Sequence, residues 1–209
     1  MNGLTHFVGV ILSIAGTVLL MLRATDPLRP WHLAGYLVFS LSAVLLYASS
    51  TLFHWVNASK STVLALRKLD HAMIFVFIAA TYTPFCLVPF RGTFGWTILS
   101  AVWTMAVLGS IVKVLWIHMP TRLCVGLYLF AGLFCVVGTG RILEVLPGRA
   151  VFWLVAGGVF YCVGAVFYVL DTRSCIRGFF GYHDVFHVLV LAGSAAHFWT
   201  VYRYVDMFA

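Results

Sequence analysis

Apolar residues in this chain gather into long blocks, and polar residues are confined to short gaps between them. A helix that crosses the hydrocarbon core of a bilayer needs about 20 predominantly apolar residues. Seven blocks approach that length, at about 4–22, 33–56, 69–89, 94–117, 123–140, 151–171 and 182–203. The gaps, 23–30, 57–68, 90–93, 119–122, 141–149 and 172–181, hold the breakers and charges expected of loops. None is long enough for a soluble domain. Backbone groups in lipid must be satisfied within the protein, so the pattern predicts an all-α membrane protein, a single seven-helix transmembrane domain over residues 1–209. The first block is too long for the apolar stretch of a cleavable signal peptide and has no basic segment before it, so it reads as the first span. Pro84, within Thr81-Tyr82-Thr83-Pro84, is expected to kink the third helix.

Seven blocks also set which end of each helix lies on which side. Even-numbered spans end, and odd-numbered spans begin, on the side of the N-terminus. His6 opens the first span, His54 closes the second and Asp70 opens the third. Asp171 closes the sixth, while His183, Asp184 and His187 open the seventh. These ionisable residues therefore converge in one leaflet. Loop charge leans only faintly: Lys60, Arg67, Lys68, Lys113, Arg122, Arg173 and Arg177 fall on the N-terminal side, against Arg23, Arg29, Arg91, Arg141, Arg149 and Arg203 on the other. The small excess favours a cytoplasmic N-terminus.

Composition reinforces the membrane reading. The 209 residues are 63% hydrophobic and 9% charged, whereas a soluble domain carries roughly a quarter charged residues. The mean hydropathy is +1.03. The net charge of +7 comes from Lys and Arg standing singly or in pairs between apolar blocks, as in the loops of a polytopic protein, and calls for no nucleic-acid partner. Five cysteines (Cys86, Cys124, Cys135, Cys162 and Cys175) form no CxxC pair and fall mostly in apolar runs, where a thiol acts as a small hydrophobe.

Candidate chemistry rests on the histidines. An ionisable residue within a bilayer is costly and marks a functional site by default. His183 and His187 stand at i and i+4, on one helix face with Cβ atoms about 5–6 Å apart. Both can ligate one ion, and His54 at equal depth supplies a third imidazole. Three histidines leave one tetrahedral position open, the pattern of a catalytic zinc site. Asp70 is either an interfacial carboxylate paired with Arg67 or Lys68, or a general base that takes the proton of an attacking water. Ser50, one turn before His54, serves either close packing or a hydrogen bond near the site. His6 is near the site or merely interfacial. His71 is expected to point about 100° away from Asp70, and His32 and His118, at span edges, are expected to be solvated. His197, ten residues beyond His187, is about 15 Å away along the axis, too far for the same ion. No Lys in the last span could carry retinal, helix two offers only one of the His pair a di-haem site wants, and no Walker-type loop, HExxH or GxSxG is present. A zinc transporter would need ligands releasing the ion to both sides, whereas these cluster in one leaflet.

Together these residues resemble the haemolysin III family, the bacterial branch of the progestin and adipoQ receptor superfamily that includes the adiponectin receptors. Asn2-Gly3-Leu4-Thr5-His6 is similar to its opening N-x-x-T-H, Ser50 to His54 to S-x-x-x-H, and His183 to His187 to H-x-x-x-H. Leu69-Asp70-His71 with Thr81 to Phe85 resembles the third-helix block, and Gly157-Gly158 with Tyr161, Gly164 and Tyr168 the sixth. His197 sits where members often carry a further His. Members usually carry an acidic residue a few positions before the opening Asn, and this sequence begins at Met1-Asn2.

The resemblance implies zinc on His54, His183 and His187, with Asp70 holding the zinc-bound water and Ser50 close by. It also implies a multi-pass protein of the bacterial cytoplasmic membrane, with the N-terminus inside. Receptor relatives and, more distantly, alkaline ceramidases are associated with hydrolysing the amide of ceramide-like lipids, and bacterial members with membrane lipid homeostasis. The expected function is thus a zinc-dependent lipid amide or ester hydrolase whose partners are membrane lipids. The alternatives are a sensor of membrane state with structural zinc, and a cytolysin, which rests only on the family name.

Overall fold

The computed structural model describes residues 2–170 and 181–208. Asp171, Arg173, Cys175 and Arg177 lie outside them. The described residues form helices α1 (Asn2–Thr25), α2 (Pro30–Trp55), α3 (Lys60–Leu87), α4 (Thr93–Leu115), α5 (Thr121–Gly132), α6 (Thr139–Val145), α7 (Gly148–Leu170) and α8 (Tyr182–Tyr204). Short 3₁₀ turns cover Leu133–Gly138 and Val205–Met207. No β-strand occurs among them.

Local chemistry explains several of these boundaries. Pro30 occupies the first turn of α2, where its missing N–H is no loss. Ser59 caps α3, its hydroxyl accepting the Thr62 N–H at 3.3 Å. That cap starts the helix at Lys60, so the expected 57–68 loop shrinks to Val56–Ser59, and Asp70 lies almost three turns into α3 rather than at its start. The helix runs through Pro84 and ends one turn later. Gly92, the one residue with positive φ (132°) among those described, then turns the chain into α4. The fifth block is not one continuous α-helix: α5 tightens into the 3₁₀ turn and relaxes into α6, with the Tyr82 hydroxyl bonding the Ala131 and Gly132 carbonyls and accepting the Cys135 N–H.

Among the described residues six segments are long and apolar enough to cross a membrane: Gly3–Thr25, Pro30–Trp55, Thr93–Leu115, Thr121–Val145, Gly148–Leu170 and Tyr182–Met207. The expected third span, α3, has the length at 28 residues, but its first three turns carry Lys60, Arg67, Lys68 and Asp70. The helices pack in sequence, α1 on α2, α2 on α3 and α3 on α4. α7 packs along α8, α8 returns to α1 and touches α3, and α5 bridges α3 to α7. Outward faces are apolar, with Ile11, Leu12, Leu19 and Leu22 on α1 and Phe152, Val155, Val159 and Val166 on α7 all exposed. Apolar surface on this scale belongs in lipid.

The bundle has a polar cluster at each end. Away from the histidines, Arg23 pairs with Asp206 at 2.8 Å and stacks on Tyr202, while Arg29 bonds both the Asp206 carboxylate and its backbone carbonyl. This clamp joins the α1–α2 turn to the C-terminal 3₁₀ turn. It also corrects the expectation for His32, which is buried at 3% exposure against Tyr36 and within 3.5 Å of Arg29 Nη1, because the C-terminal turn covers the span edge. His118 is exposed, as expected.

Candidate metal centre

Three imidazoles meet where α2 ends and α8 begins. One ring nitrogen from each of His54, His183 and His187 lies within 4.8 Å of the other two. Ring centroids are 4.5 Å apart for His183 and His187, 5.3 Å for His54 and His183, and 5.2 Å for His54 and His187. His187 is 2% exposed, whereas His54 and His183 are half-buried, so one side of the cluster is open. Three neutral imidazoles converging this closely are a donor set suited to a first-row ion such as zinc, and the residues present fit a three-histidine site.

Elements on either side hold the rings. Asp184, buried at the start of α8, accepts the Gly181 N–H at 2.9 Å. This ties down the first turn from which His183 and His187 project, and it places a carboxylate at the positive end of the helix. From α1, Thr5 Oγ1 approaches His187 Nδ1 at 3.4 Å. In the tautomer that donates from Nδ1, this contact leaves Nε2 as the ring's acceptor, the role that outer partners of metal-bound histidines enforce.

Two turns deeper, Tyr47 of α2 donates to Ser194 of α8 at 2.6 Å, and Tyr161 of α7 meets the same hydroxyl at 3.0 Å. A side chain added at Gly9 of α1 would overlap the Tyr47 ring, so glycine there admits it. This buried junction connects the helix bearing His54 to the one bearing His183 and His187.

The expected neighbours divide. Asp70 is partly buried, its side chain 13% exposed, and lies within electrostatic range of His54 and His6. Among the described residues it pairs with neither Arg67 nor Lys68. Instead its Oδ2 sits 3.5 Å from His71 Nδ1, which corrects the expectation that His71 turns away. Helical spacing separates the Cβ atoms by about 100°, but rotation about χ1 brings the two side chains back together. The Tyr168 hydroxyl approaches His71 Nε2 at 3.5 Å, and the Tyr168 ring lies 5.8 Å from that of His183. Ser50 is buried, 1% exposed, one turn before His54. His197 stays apart from the cluster, as expected, with Nε2 3.3 Å from the Leu154 carbonyl and its ring edge-on to Tyr161.

For His6, left open in the sequence between a place near the site and the interface, the structure takes the first. The residue is 4% exposed and stacks on His187 with centroids 3.7 Å apart and planes 15° from parallel, and it makes a T-shaped contact with Tyr47 at 5.2 Å. The signal was the Thr5-His6 pair in the opening motif, whose partner lies some 180 residues away in the chain.

Helices with lipid-facing apolar surfaces around a partly buried three-histidine cluster define a multi-pass integral membrane protein with a candidate metal centre. The family described as haemolysin-III related matches residues 1–198, and the chain belongs to it. It is 36% identical to the hemolysin-3 homolog of Bacillus subtilis over 203 residues, covering 97% of this chain and 92% of that protein. It is 35% identical to hemolysin-3 of Bacillus cereus over 204 residues, covering 98% and 90%. The human monocyte to macrophage differentiation factor is 26% identical over 212 residues, covering 97% and 82%.

Proposed function

We propose that this protein is a zinc-dependent hydrolase that cleaves an amide or ester bond of a membrane lipid from within the bilayer. The observation that carries the reading is the convergence of His54, His183 and His187 with one side open, Asp70 lying within electrostatic range of His54. His54, His183 and His187 hold the ion, which when bound supplies Lewis acidity and brings the pKa of water at its open position to roughly 7.

The remaining work belongs to the chain's own groups. An Asp70 carboxylate oxygen takes the proton of the attacking water and aims its lone pair at the lipid carbonyl. His71, 3.5 Å from that carboxylate, steadies it. The same reading assigns Ser50, buried one turn before His54, a supporting hydroxyl behind that ligand. The acyl chain lies between helices, since lipid reaches a buried site most directly from the side. A ceramide-like or acyl-amide lipid is the substrate class that the family resemblance favours.

It also makes α3 a span, for seven in all, with the N-terminus on the cytoplasmic side of a bacterial inner membrane. Lys60, Arg67 and Lys68 then lie in the cytoplasmic end of α3, among the positive charges that orient such a protein.

Asp70→Asn tests the assignment. The variant is expected to keep its zinc while hydrolysis of ceramide or acyl-amide substrates falls about 100- to 10,000-fold, the usual contribution of a positioned general base. Zinc and function both intact in Asp70→Asn would instead favour a sensor of membrane state in which the ion is structural. A cytolytic role has only the names of the family and its relatives behind it.

A further inference from the structure

His6 is the buried group at this site that the proposed chemistry does not yet use. It is 4% exposed, and both of its ring nitrogens are buried with no hydrogen-bond partner. A neutral imidazole carries one donor and one acceptor. Leaving both unmet in a low-dielectric interior is expensive. Native proteins resolve such orphans with water or ligand.

The surroundings narrow the choice of ligand. One face of the ring is closed by His187 and another approach by Tyr47. Asp70, His54 and His183 all lie within electrostatic range of the imidazole. His6 is not a member of the trio whose nitrogens converge. Its ring is stacked on that of His187, so it sits against the metal site without completing the coordination set.

We propose that the His6 imidazole hydrogen-bonds the non-protein ligand at the open position of the three-histidine site. That ligand is a small oxygen or anionic donor, which in turnover would be the attacking water. The stack on His187 fixes the plane of His6, so its nitrogens are already oriented when the ligand arrives. The proposal rests on the three histidines holding a metal.

The test uses the full chain in detergent, loaded with Co(II) and titrated with azide while the visible ligand-field bands are followed. His6→Phe keeps a ring on His187 and removes both nitrogens, while His6→Gln restores a hydrogen-bonding group without the ring. His6→Phe is expected to keep the wild-type metal stoichiometry and to bind azide about five- to tenfold more weakly, the loss of one hydrogen bond. His6→Gln is expected to recover part of that affinity.

Azide affinity unchanged in His6→Phe would overturn the proposal and leave the ring as packing for His187. Metal lost from His6→Phe as fully as from His187→Ala would overturn it too, by making His6 a ligand. Wild-type protein that takes up no metal would bring down the metal reading itself, a failure distinct from either of these.

Discussion

At the residue scale, the metal centre depends on which nitrogen each imidazole presents as well as on three imidazoles converging. Thr5 Oγ1 near His187 Nδ1 couples α1 to that choice. Thr5→Ala is therefore expected to weaken zinc binding by about tenfold, with Thr5→Ser close to wild type, as measured by competition with a chromogenic chelator. Equal affinity in Thr5→Ala and wild type would remove Thr5 from the site. His183 and His187 were legible in the sequence because helical spacing alone puts i and i+4 on one face. His54 was legible from its depth in the second block. For His6 the leaflet and the motif were legible but not the burial, which comes from α1 packing against α8 at the far end of the chain. His71 escaped for a different reason: spacing fixes where a Cβ points but not how the side chain rotates beyond it.

At the scale of elements, α7 and α8 pack closely where small residues let their backbones approach. A methyl group added at Gly157 would overlap the His197 ring and lie 3.2 Å from the Gly193 carbonyl oxygen. Gly157→Ala is expected to destabilise the bundle by about 1–3 kcal/mol in micelle unfolding, with part of the loss recovered in a His197→Ala background. Wild-type stability in Gly157→Ala would show that the seam is looser than this packing implies. Most element positions follow from the apolar blocks, because length in lipid leaves little choice but helix. The start of α3 did not, since Lys60, Arg67 and Lys68 look like loop charge while the Ser59 cap favours helix. The change to 3₁₀ geometry after Gly132 was hidden as well. It depends on Tyr82, which reaches across from α3.

At the scale of the whole molecule, a polar cluster at each end gives the bundle two fixed points. The histidines and Asp70 stand at one end, and the Arg23–Asp206–Arg29 clamp at the other. If α3 spans as well, the two chain termini lie on opposite sides of the membrane. A reporter active only in the cytoplasm is then expected to work when fused before Asn2 and to fail when fused after Phe208. Activity at both ends would contradict seven spans. The sequence showed that ionisable groups share one end, because the count of blocks alone sets their side. It could not show the clamp, which forms only when the chain's last turn meets its first loop.

The central claim is that His54, His183 and His187 form a zinc site. Elemental analysis of the purified protein, wild type beside His187→Ala, tests it most directly. The account predicts about one zinc per wild-type chain and a fall of at least about tenfold in His187→Ala. Wild-type protein without metal, or a variant that retains the full amount, would contradict it.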